Sequence, residues 1–90
     1  MALFAVIGLG SFGATVALEL THLKHDVIGI DTEKKFVENI SDSISHAVIA
    51  DATDEHVQKE LNIKNCDAVL VAIGDDMEAS FLCVKKIKNL

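Results

Sequence analysis

The stretch that decides the fold is Leu3-Phe4-Ala5-Val6-Ile7-Gly8-Leu9-Gly10-Ser11-Phe12-Gly13. Leu3 to Ile7 is a continuous apolar run of strand length, as expected of a strand buried on both faces. A glycine turn follows at once, and beyond it the apolar period becomes helical. Phe12, Val16, Leu20 and Leu23 fall on one stripe, while Glu19, His22 and Lys24 fall off it. Three glycines at this spacing are weak evidence alone, but between a buried strand and an amphipathic helix they carry a mechanism. Gly8 permits the tight turn, Gly10 leaves room for backbone to approach a pyrophosphate, and Gly13 lets the helix pack close to the strand. The N–H groups at the helix start, with the positive end of its dipole, would hold the phosphates.

The same rhythm continues outward from that turn. Residues 27–30 form a second apolar run, closed by Asp31, and Thr32 can cap a following helix whose Phe36, Val37 and Ile40 face inward. Residues 47–50 make a third strand that stops at Asp51. Thr53 or Asp54 then starts a short helix burying Val57 and Leu61. Residues 68–73 are a fourth strand and the most apolar stretch of the chain. Gly74-Asp75-Asp76 breaks it, and Asp75 with Glu78 has capping-box spacing for a last helix whose inner face carries Met77, Phe81 and Val84. Strand and helix thus alternate through four βα units. Right-handed crossovers between parallel strands then predict an α/β, doubly wound parallel sheet, and the glycine turn after its first strand makes a Rossmann-like order of 3-2-1-4 the expected one.

Asp31 lies at the carboxyl end of the second strand, close to the ~20-residue spacing at which an acid accepts hydrogen bonds from ribose hydroxyls. With Thr32 and Glu33 behind it, and no arginine anywhere in the chain, a 2′-phosphate would be repelled, which disfavours NADP against NAD or an adenine nucleotide. Asp31 also reads as a plain turn or capping residue. Asp51-Ala52-Thr53 occupies the equivalent place after the third strand and Ile73-Gly74-Asp75 after the fourth, so all face one crevice. Asp51 and the backbone of Ala52 are placed to read an adenine edge, though an Asp there is as often a turn acid.

Composition bounds the rest. Ninety residues fit one domain, residues 1–90, with 50% hydrophobic content and a mean hydropathy of +0.35, so a packed core is expected. All eight basic residues are lysines, against fourteen acids, for a net charge of -6. That balance argues against nucleic acid, since only Lys85, Lys86 and Lys88 cluster, where they suit a helix end. No apolar run has the ~18–20 residues that span a bilayer, and no signal-peptide pattern opens the chain. Cys66 and Cys83 lack C-x-x-C spacing and read as free thiols of a reducing cytoplasm. His22 and His25 fall at the far end of the first helix facing water, and neither they nor His46 and His56 have metal-ligand partners. No catalytic residues are assigned, and there is no room for a second, substrate-presenting domain.

Four segments, residues 4–13, 27–31, 46–55 and 67–80, resemble in order the nucleotide-binding N-terminal (RCK or KTN, TrkA-N) domain of Trk/Ktr-type potassium uptake regulators. Phe12 within G-x-G-x-F-G and the Asp51-Ala52-Thr53 triplet are the specific features. The resemblance implies a cytoplasmic gating subunit and not an enzyme. It would bind NAD(H) or ATP/ADP, form a homodimer or larger ring, and sit beneath a separate potassium-translocating membrane subunit, peripheral to the inner membrane. It implies that Gly8, Gly10, Ser11, Phe12 and Gly13 hold the phosphates and that Asp31, beside Thr32, holds the ribose. Asp51, Ala52 and Thr53 would lie by the adenine, with Ile73 and Gly74 completing the floor. Many members carry Arg where this chain has Ser11, which leaves NAD or ADP-like ligands easier to accommodate than ATP alone. The family's domain continues into further strands, so the chain is expected to be incomplete at its C-terminus. Its fourth strand would then be an edge inviting a second copy. The competing readings are the mononucleotide-binding half of an NAD-dependent dehydrogenase and a bare oligomerisation module.

Overall fold

The computed structural model of the chain describes residues 2–72. Four parallel strands, β1 (Leu3–Ile7), β2 (Asp26–Asp31), β3 (His46–Ile49) and β4 (Ala68–Val71), form one sheet of order β3-β2-β1-β4. Helices α1 (Ser11–His22), α2 (Lys34–Ile40) and α3 (Glu55–Glu60) connect them, with a short 3-10 turn (Ile63–Asn65) ahead of β4. The expected order 3-2-1-4 is therefore found. The last helix, Ile73, Gly74, Cys83 and the lysines at 85, 86 and 88 lie outside the described residues.

Period-two alternation sorts the strands between two cores. On one face Val6 and Val27 meet Ala17 of α1 and Val37 and Ile40 of α2, together with Leu9 and Ile44. On the other, Ala5, Ile7 and Ile30 meet Ala52 and Ile63, with Leu61, Val69 and Val71 packed around them. Ala5 and Val6, adjacent in β1, are both fully buried, one in each cluster. A strand covered on both sides has no polar face to show, which is why its sequence runs apolar without a break.

The helices depart from the sequence reading in detail. The stripe of α1 is rotated: Gly13 and Ala17 are its buried residues, while Phe12 is 65% exposed and Leu23 57% exposed. Helix and sheet approach too closely for large side chains there, so small residues occupy the contact. Thr32 does not cap α2, whose N-cap is Glu33 without a side-chain bond. Asp54, not Thr53, caps α3, its carboxylate accepting from the His56 N–H. Val57 and Leu61 are only half-buried, and Gln58 takes the innermost place. His25 is half-buried: its Nδ1 accepts from the Ala2 N–H at 3.2 Å, and its ring meets Phe4 edge to face.

Candidate nucleotide-binding crevice

The glycine turn is held in place before any ligand arrives. Gly8 has φ 98°, a conformation that L side chains avoid, and its N–H donates to the Ile30 carbonyl at 2.8 Å. A Cβ on Gly13 would overlap the Gly8 carbonyl oxygen and lie 2.8 Å from the Gly8 carbonyl carbon. Only glycine lets α1 rest on the turn in this way. Gly10 is the opposite case: among the described residues a Cβ there would meet nothing within 4 Å. Its bare face looks into open space beside the start of α1, and its conformation (φ -69°) is one that any residue adopts.

Two further residues, unremarked in the sequence, complete the turn. Leu9 is 2% exposed and packs on Gly29 of β2, where a Cβ would come within 3.1 Å of both Leu9 methyl carbons. The signal for Gly29 was present, since a glycine inside a strand often marks a close approach. Leu9 offered none, because the second position of the motif is chemically unrestricted.

Asp31 joins the crevice to the turn. Its Oδ2 accepts from the Leu9 N–H at 2.7 Å and its Oδ1 from the Glu33 N–H at 2.8 Å. The turn reading of Asp31 is thus satisfied, through Glu33 two residues on. A carboxylate has about four acceptor sites, so two bonds leave capacity on each oxygen for ribose hydroxyls. Leu9 N–H is taken by Asp31, which leaves the N–H groups from Gly10 onward at the start of α1. There α1 has no side-chain cap and no acid in its own first turn, so no side chain of its own neutralises its leading N–H groups and dipole. Ser11 and Phe12 are exposed at that end; the Ser11 carbonyl is taken by Thr15 Oγ1 at 2.7 Å.

After β3 the pattern recurs. Asp51 Oδ1 accepts from both the N–H and the Oγ1–H of Thr53, at 2.9 and 2.6 Å. Ala52 is buried beneath it and Thr53 half-buried. Thr32 is exposed between its two neighbours and makes no cap. Gly8 through Gly13, Asp31 and Asp51 through Thr53 thus all stand at the carboxyl ends of the strands, and β4 ends there too, Ala72 N–H reaching the Ile7 carbonyl at 2.7 Å. A separate concavity of about 250 Å³ runs between α1 and α2, touching Gly10 and Ser11 but otherwise lined mainly by apolar residues such as Leu18 and Phe36. None of the three crevice acids and hydroxyls at 31, 51 and 53 lines it. Among the described residues no group of His, Cys, Asp and Glu is arranged to hold a metal.

The family model of the TrkA-N domain matches residues 4–90. The chain belongs to the TrkA-N family. Among its relatives are Ktr system potassium uptake proteins C and A of Bacillus subtilis (strain 168), 42% and 41% identical over 87 residues. Each match takes in 97% of this chain but only 39% of the relative, so this TrkA-N domain spans about two-fifths of their length. A Trk system potassium uptake protein TrkA homolog of Pyrococcus abyssi is 36% identical over 80 residues. Among solved structures, the NAD(P)-binding domain of an exopolyphosphatase-related protein from Archaeoglobus fulgidus superposes with a TM-score of 0.86 at 31% identity. That superposition takes in 99% of this TrkA-N chain and 66% of the other, and it confirms the Rossmann-type architecture.

Proposed function

We propose that this domain is the nucleotide-sensing part of a cytoplasmic regulatory subunit of a potassium transport system. It binds NAD(H) or ATP/ADP at the strand ends, and exchange of ligand changes the geometry of a homodimer or ring that bears on a membrane potassium-translocating subunit. The observation that carries the reading is the contrast between two glycines of one motif. Gly13 is required by packing, whereas a Cβ on Gly10 would meet none of the described residues within 4 Å, which supports room for a pyrophosphate there. Potassium uptake relatives supply the physiological setting, and the NAD(P)-binding neighbour supports a dinucleotide. Phosphates would sit on Gly10, Ser11, Phe12 and Gly13, ribose on Asp31 beside Thr32, and adenine by Asp51, Ala52 and Thr53. Ile73 and Gly74 are proposed as floor. Among the described residues no helix is long and apolar enough to cross a membrane.

Calorimetric titration with NADH, NAD, ATP and ADP tests the site. Binding by the wild type, weakened roughly tenfold or more by Asp31→Ala, is expected, because that change removes the ribose acceptor and releases Leu9 N–H together. Failure of the wild type to bind any of the four would end the proposal. Sedimentation at micromolar concentration tests the assembly; a strict monomer would remove the oligomer from it.

A further inference from the structure

Gln58 is the one buried polar side chain among the described residues, 1% exposed, and no motif draws attention to it. It belongs to α3, yet its side chain turns back past the start of that helix, and Nε2 donates to the Ala52 carbonyl oxygen at 2.6 Å. That oxygen is one end of the peptide unit joining Ala52 to Thr53. The other end is the Thr53 N–H, which donates to Asp51 Oδ1 at 2.9 Å. A trans peptide is planar and points its C=O and N–H in opposite directions. Two side chains therefore grip one rigid plate from opposite ends, buried Gln58 at one and exposed Asp51 at the other. Thr53 Oγ1 adds a second bond to the same Asp51 oxygen, so fixing the plate also fixes the carboxylate.

The anchor is made at a cost. Gln58 Oε1 is buried without a hydrogen-bond partner among the described residues, a penalty that an apolar side chain of similar length would avoid. The bond to Ala52 is what such a side chain would lack. Losing that bond removes the hold of Gln58 on the carbonyl end of the Ala52–Thr53 plate, and any rotation of the plate would shift the positions of a donor and an acceptor together. A site that reads a base edge through hydrogen bonds depends on those positions.

We propose that Gln58 is a positioning residue for base recognition, setting the Ala52–Thr53 peptide and the Asp51 carboxylate that meet the base. This role rests on the nucleotide site proposed above and deepens it. Wild type and Gln58→Met are titrated with ADP, GDP and inorganic pyrophosphate. The variant is expected to bind ADP about tenfold more weakly and to discriminate less between ADP and GDP. Pyrophosphate, which meets only the glycine turn, should bind unchanged. Equal losses for ADP and pyrophosphate would show general loosening and overturn the role, as would undiminished affinity for ADP. Should Gln58→Met not fold, the wild type answers by NMR: a Gln58 side-chain amide held on Ala52 exchanges its protons slowly, and rapid exchange overturns the role. If the wild type binds no nucleotide, the proposed function falls and this role with it. If it binds and Gln58→Met matches it, this role falls alone.

Discussion

At the residue scale, the glycines separate folding from binding. Gly13→Ala forces a methyl group into the Gly8 carbonyl, backbone against backbone, and neither side can rotate away. A loss of roughly 3 kcal/mol is expected, read as a lower midpoint in urea or failure to fold. Gly10→Ala should leave stability within about 1 kcal/mol of wild type, since the new methyl meets only open space. The same methyl would stand where the pyrophosphate must approach, so nucleotide affinity should collapse in a chain that still melts cooperatively. Gly10→Ala binding as well as wild type would place the phosphates elsewhere. Cys66 offers a smaller check. Burial, then the neighbouring Asp67 charge, raises its thiol above the usual value. The protonated form is thus favoured at neutral pH, and alkylation should lag behind that of a free thiol until the pH is raised.

At the element scale, α1 has an ordinary end and an unusual beginning. Its carboxyl end is a Schellman closure: Lys24 N–H reaches the Thr21 carbonyl at 2.9 Å and His25 N–H the Leu20 carbonyl at 3.1 Å. The closing residue must take a left-handed conformation, and Lys24 does so at φ 74°. Glycine pays no Cβ penalty there, so Lys24→Gly is expected to stabilise the domain by about 1 kcal/mol, seen as a melting temperature roughly 4–8 °C higher. No gain would mean that the Lys24 side chain makes compensating contacts. The opening of α1 has no such closure. The contrast with α3 is direct, because Asp54 caps that helix and Glu55 occupies its first turn, setting protein carboxylates where α1 has none. The sequence reading found every strand and α-helix of the described region but missed the 3-10 turn at Ile63–Asn65 and which way α1 faces. Periodicity marks large apolar residues as core, whereas this helix lies so near the sheet that Gly13 and Ala17 make the contact and Phe12 is left outside.

At the scale of the whole molecule, binding and stability are linked. A ligand held only by the folded chain stabilises it by about 2.7 kcal/mol at a hundred times its dissociation constant. Saturating ADP or NADH should therefore raise the melting temperature of the wild type and leave that of Gly10→Ala unmoved. The parts of the crevice come from three different strand ends, and Asp31 fastens two of them by holding Leu9 and Glu33 at once. Alternating apolar runs, glycine spacing and acids after the second and third strands determined by themselves that the sheet is parallel and that residues 8–13, 31 and 51–53 come to its carboxyl edge. Those features are local or periodic, so they are written along the chain. The order 3-2-1-4 was the Rossmann expectation, and the packed sheet decided it against the other doubly wound order. Which hydrogen bonds the crevice residues make was likewise decided only in three dimensions. The grip of Asp31 on Leu9, the seat of Leu9 on Gly29, and Gln58 reaching back to Ala52 each depend on the distance between segments that only the packed sheet brings together.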